Sequence, residues 1–278
     1  MRPRCPTQIS LPPTVLLLIA ALVTVAAPPS ARAQEIFNST QSANLPTSET
    51  VRAGNWLFEI SHRFLPPVSD GSGALWGLDG PVRNRLGLGY APTDRILIGV
   101  VRANYEDNLE INAKAAVFEG RAGGVRYKIG GMAGLAWNTD VVEVGGAEDN
   151  EVQYYGQLIV DALLGDHVAV GVVPTFLRNP RLLDIEKENA FVLGLHSQVY
   201  LSDSFSVLGE WIFSEPRTGL ENDTGTFGIA LDTRGHSFKI VVSNQTRMNA
   251  TQFLAGTPND FEADQLRLGF NITRVLVF

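Results

Sequence analysis

The chain has 278 residues, 45% of them hydrophobic, with 22 basic against 29 acidic side chains and a formal charge of −7 at neutral pH. So acidic a chain is a poor partner for nucleic acid, and its single cysteine, Cys5, excludes a disulfide framework. No stretch after position 33 reaches the roughly 18 apolar residues of a membrane-crossing helix, so a membrane location would require a closed sheet.

In chain order, Arg2 and Arg4 come first, then an apolar run from Thr14 to Ala27, then Ala31-Arg32-Ala33. A basic head, a short apolar run and an Ala-x-Ala motif predict an export signal over residues 1–33, cleaved after about Ala33. A membrane anchor is the competing reading, but the run falls short of the roughly 20 residues that span a bilayer. Cleavage would remove Cys5, Arg2, Arg4 and Arg32 and no acid, taking the charge from −7 to −10 and leaving no cysteine. Residues 34–50 are polar and predict a flexible periplasmic segment, with insertion into a lumen as the alternative.

From residue 51 to 278 the period is two. Leu86, Leu88 and Tyr90 alternate with Arg85, Gly87 and Gly89, and Leu266, Leu268, Phe270 and Ile272 with Arg267, Gly269, Asn271 and Thr273. Such alternation marks strands with one apolar and one polar face. Twelve are predicted, at about 51–64, 83–92, 95–103, 108–118, 124–138, 150–164, 167–178, 187–201, 205–214, 224–233, 235–247 and 262–278. Short links rich in Gly, Asp or Pro, such as Gly165-Asp166, alternate with mostly longer polar ones, such as Leu65 to Val82 and Met248 to Phe261. An even strand number with short turns at one end and long loops at the other is the organisation of an outer-membrane barrel. A soluble sandwich is the alternative, but twelve strands of about 10–15 residues are long for one, whereas a tilted strand needs about 9–11 to cross lipid. The expected fold is therefore an all-β, antiparallel, up-and-down transmembrane β-barrel over residues 51–278. Phe278 ends the last alternating strand and is the candidate assembly signal. Of the long links, Leu65 to Val82, which carries Trp76, is the best candidate for an ordered external or constricting loop.

The blocks Ile60-Ser61-His62-Arg63-Phe64, Gly77-Leu78-Asp79-Gly80, Leu86-Gly87-Leu88-Gly89-Tyr90-Ala91-Pro92-Thr93-Asp94-Arg95, Gly235-His236-Ser237-Phe238 and Gly269-Phe270-Asn271-Ile272-Thr273-Arg274-Val275 resemble, in that order, a bacterial membrane β-barrel family. Its domain of unknown function would cover the chain from about residue 36 onward. The resemblance implies a membrane barrel and brings no catalytic or ligand residue.

The parity opposite the apolar stripe would send Glu59, Arg63, Arg83, Arg85, Glu110, Lys114, Arg126, Lys128, Asp161, His196, Glu210, Lys239 and Arg267 into the lumen. Charges of both signs suit either a hydrated selective path or a network that neutralises and fills itself. Eight strands close on their own side chains and 16–18 leave a channel, so twelve predict a narrow or partly occluded lumen. No catalytic motif is present: His62, His167, His196 and His236 are scattered, and the neighbours His196-Ser197 and His236-Ser237 point to opposite faces of a strand. Neither cofactor nor metal is expected. The expected role is a narrow passive channel or transporter for small polar solutes in the outer membrane. A structural or partner-binding barrel with an occluded lumen comes second, and a barrel-borne lipid hydrolase third. Expected partners are membrane lipid, the barrel-assembly machinery and small polar solutes.

Overall fold

The computed structural model describes residues 35–140, 152–181, 188–233 and 235–278. The predicted export signal and parts of the links after residues 140 and 181 lie outside these.

Alternating side chains extend the chain into twelve strands: β1 (Trp56–Phe64), β2 (Val82–Thr93), β3 (Ile96–Ala103), β4 (Asn108–Ala122), β5 (Val125–Asn138), β6 (Val152–Leu164), β7 (Val168–Arg178), β8 (Asn189–Tyr200), β9 (Phe205–Phe213), β10 (Thr224–Thr233), β11 (His236–Ser243) and β12 (Arg267–Leu276). Each pairs antiparallel with its neighbours in sequence, and β1 pairs with β12 to close the barrel. A two-residue turn joins β4 to β5, where Ala122 faces Val125 across Gly123 and Gly124. Both glycines have positive φ, 55° and 84°, as a two-residue turn matched to strand twist requires. Ala116 and Phe118 flank a register shift in β4, so Val117 and Phe118 both face outward.

The two faces identify the solvent. Leu86, Leu88, Ile98, Val100, Ile111 and Ile240 are exposed, while Glu59, Arg63, Glu110, Lys114 and Lys239 are buried. A water-soluble fold would reverse that distribution. An apolar outer face carried all round a closed barrel is the surface of a protein immersed in lipid.

The strands match the predicted set, with differences at their ends. β1 begins at Trp56 rather than 51, β11 stops at Ser243 rather than 247, and β12 starts at Arg267 rather than 262. After Ser243 the chain leaves the wall and turns into the lumen, whereas Arg52, Ala53 and Gly54 ahead of β1 form an exposed turn at the rim. β4 runs on to Ala122, beyond 118. The Leu65 to Val82 link, the candidate for an ordered external or constricting loop, is ordered and external: it forms a 3-10 segment (Val68–Gly77) whose Leu75 and Trp76 side chains are exposed.

Candidate functional site

The lumen is filled from both ends by the chain's own polar segments. Residues 35–50, expected as a flexible periplasmic segment, lie inside the barrel; Phe37, Leu45, Thr47 and Ser48 are fully buried. The segment enters from the short-turn end, where Ala53 N donates to Asp94 Oδ1 at 2.7 Å and Thr50 Oγ1 to Asp94 O at 2.6 Å. It then folds back on itself: Gln41 and Pro46 form an isolated bridge, and Ser42 N donates to Leu45 O at 2.8 Å.

Composition pointed to a disordered tail because residues 34–50 have too few apolar side chains to form a core alone. The wall supplies what they lack. Lys114 Nζ donates to Thr40 O at 2.6 Å and Thr47 O at 3.0 Å. Lys239 Nζ donates to Ser39 Oγ and Ser42 O, both at 2.9 Å, and to Gln41 O. Glu210 accepts from the backbone of Asn44 and Leu45 at 2.9 and 2.8 Å and from the Asn44 amide at 2.8 Å. Asp161 accepts from Ser48 N at 2.6 Å and Ser48 Oγ at 2.8 Å, and its other oxygen is 3.1 Å from His196 Nε2. Arg63 reaches Asn44 Oδ1 at 3.0 Å and Asn271 Oδ1 at 2.7 Å. Lys128 pairs with Glu49 at 2.6 Å. Buried charges are tolerated only when paired and hydrogen-bonded, and in this lumen the segment provides many of the partners. Two apolar contacts complete the fit: Phe37 stacks on His196 with ring centroids 4.7 Å apart, and Leu45 lies against Gly194.

The second insert comes from the long-loop end. The β11–β12 link, expected to be a polar external loop, turns inward over residues 244–257 and carries one helical turn, α1 (Ala250–Phe253), wholly buried. Glu110 Oε2 accepts from Ala250 N at 3.0 Å, Arg85 Nε donates to Asn249 Oδ1 at 3.2 Å, and Arg83 donates to Thr246 Oγ1 at 2.7 Å while lying over the Tyr105 ring. Leu45 shares one apolar cluster with Phe253 and Leu254, so the two inserts meet inside the barrel. At the same rim, burial pushes the Asp223 carboxyl up, against hydrogen bonds from Ser214 N and Trp211 Nε1.

The thirteen candidate lumen residues therefore occupy three kinds of place. Glu59, Arg63, Glu110, Lys114, Asp161, His196, Glu210 and Lys239 are buried within the wall. Arg85, which pairs with Glu59, and Arg83, Arg126 and Lys128 are half-buried. Arg267 is also half-buried, and its Nε donates to Leu65 O at 3.1 Å at the outer rim. Alternation did not reveal the apolar inward positions that receive the inserts, among them Ile159, Val173 and Leu177. Between inserts and wall a cavity of about 70 Å³ remains, lined in part by Glu59, Arg85, Glu110 and Lys114. It has room for a few waters and no solute. A vestibule of about 1020 Å³ opens at the short-turn end, bordered by Glu35, Glu49, Asp203 and Asp232.

No curated protein matches the sequence. Among solved structures, the COG4313 outer membrane channel from Pseudomonas putida F1 is 12% identical with a TM-score of 0.50, over 82% of this chain and 98% of that one. KdgM porin is 10% identical, TM-score 0.47, over 80% and 99%. The outer membrane phospholipase A from Escherichia coli is 13% identical, TM-score 0.41, over 88% and 98%. At such identities the likeness concerns the barrel fold alone. A family model, Membrane bound beta barrel domain (DUF5777), matches residues 37–276, from the luminal segment through the last strand, and the chain belongs to that family.

Proposed function

We propose that this protein is an outer-membrane conduit for small polar solutes, closed in the described state by its own inserts. One observation carries the reading: residues 35–50 are held inside the wall by hydrogen bonds to charged side chains, the kind of contact that water or a polar solute can replace. With that segment withdrawn, Lys114, Lys239, Glu210 and Asp161 would line a hydrated path. The role is not enzymatic. In support, the Ser48 hydroxyl donates to Asp161 and not to His196, and both side chains are sealed from lipid. Lipid meets the outer face, and Phe278, fully exposed at the strand end, is offered to the assembly machinery.

The test is a tether. A Cβ built at Gly194 would lie 3.2 Å from Leu45 Cγ, within reach of a disulfide between Leu45→Cys and Gly194→Cys. In planar bilayers the reduced double variant should open intermittently, the oxidised form should stay shut, and reductant should restore openings. Folded protein that never conducts in either redox state would overturn the conduit. It would favour instead a permanently filled envelope scaffold, a reading supported by the apolar cluster shared by the two inserts.

A further inference from the structure

We propose that the lumen is a peptide-binding site which the N-terminal segment occupies as an internal ligand. The inference rests on the conduit reading and names its solute class. The wall addresses the segment mainly through its backbone. Lys114 and Lys239 donate to carbonyls of residues 40, 41, 42 and 47, and Asn271 Nδ2 donates to Ala43 O at 2.6 Å. Tyr200 OH donates to Ile36 O at 2.9 Å, while Glu210 and Asp161 accept backbone N–H groups of residues 44, 45 and 48.

A ligand that replaces the segment has to return carbonyl oxygens to two buried ammonium groups and N–H donors to two buried carboxylates. A simple anion would face Glu210 and Asp161, and a simple cation would face Lys114 and Lys239. A sugar has hydroxyls but no repeating pair of amide donor and carbonyl acceptor. A peptide backbone has both at every residue. Backbone recognition leaves the sequence largely free, and selectivity falls to two seats: the one beside Gly194 that holds Leu45, and the His196 face that holds Phe37. The preferred ligand is thus a short polar peptide with an apolar side chain near its turn.

The experiment uses the full exported chain in detergent with Ser42→Cys as its only thiol. Ser42 is 2% exposed, so reaction with a charged, water-soluble thiol reagent reports withdrawal of the segment. A synthetic peptide of residues 39–50, at millimolar concentration, should compete for the vacated wall and raise the labelling rate about two- to fivefold. The factor is modest because a tethered segment has an effective concentration in the millimolar range. The same peptide carrying Asp for Leu45, and an amide-free glucose oligosaccharide, should leave the rate unchanged. Glu210→Gln should raise the basal rate and abolish the peptide-dependent increment. If Glu210→Gln raises the rate but the peptide does not, the peptide site is overturned and the conduit stands. Equal acceleration by the oligosaccharide overturns the peptide assignment. A rate that neither changes means the segment does not exchange, and the conduit reading falls with the inference.

Discussion

A methyl group added at Gly171 would lie 1.9 Å from His196 Nε2 and 2.4 Å from Asp161 Oδ1. The two side chains cannot separate freely, because His196 is stacked on Phe37 and Asp161 holds Ser48. Gly171→Ala should therefore lower stability by about 1–3 kcal/mol, measured as an earlier midpoint in urea unfolding of the detergent-solubilised barrel. Gly156→Ala, where an added Cβ meets nothing within 4 Å, is the control and should leave the midpoint in place. On the outer face, Ile240→Arg puts a charge into lipid from the middle of β11 and should cost about 2–4 kcal/mol near the bilayer midplane. Simple alternation implies that the inward neighbours would accept charge, because a hydrated lumen would solvate it. The filled lumen corrects that expectation. A Cβ at Gly269 would approach Arg63 and the His62 carbonyl at 2.6 Å, and Asn271 holds Ala43. Which residues face inward was thus legible from parity. What they touch was not, because their partners are largely backbone groups, which leave no mark in a sequence.

At the scale of elements, the strands were legible and the inserts were not. A strand in lipid repeats its signal every second residue, whereas residues 35–50 and 244–257 have no period and are ordered by the wall around them. Their polarity looked like exposure, but in this barrel polar groups fill the inside. The shared cluster gives a test of whether the inserts act together: Leu45→Ala and Leu254→Ala, both in contact with it, should show a coupling of about 0.5–3 kcal/mol in a double-mutant cycle of urea unfolding. Coupling near zero would make the two inserts independent stoppers. The outer rim adds a pH dependence. Burial raises the Asp223 carboxyl, so folding favours its protonated form. That contribution is full below the ordinary carboxylate value and is lost as pH rises through the raised one. Asp223→Asn should accordingly match the wild type in acid and exceed it in stability at neutral pH, and a lead that grew on acidification would reverse the assignment.

At the scale of the whole molecule, a closed barrel with an apolar exterior predicts recovery in the outer-membrane fraction and slower or faster gel migration before than after boiling. Recovery as soluble protein after osmotic shock would contradict it. The closure itself carries one more consequence, for the order of assembly. The seam runs from Trp56 opposite Leu276 to Arg63 opposite Gly269, so it joins the first strand of the chain to the last. Contacts of such sequence separation carry the largest loop-closure entropy and form late in folding. Residues 35–50 precede β1, and residues 244–257 precede β12. Both therefore lie ahead of the strand whose pairing seals the ring, and the wall can close around contents already in place. A barrel that closes last at this seam can be wrapped around its filling, with the filling as a mandrel that sets the inward side chains before the seam is drawn shut.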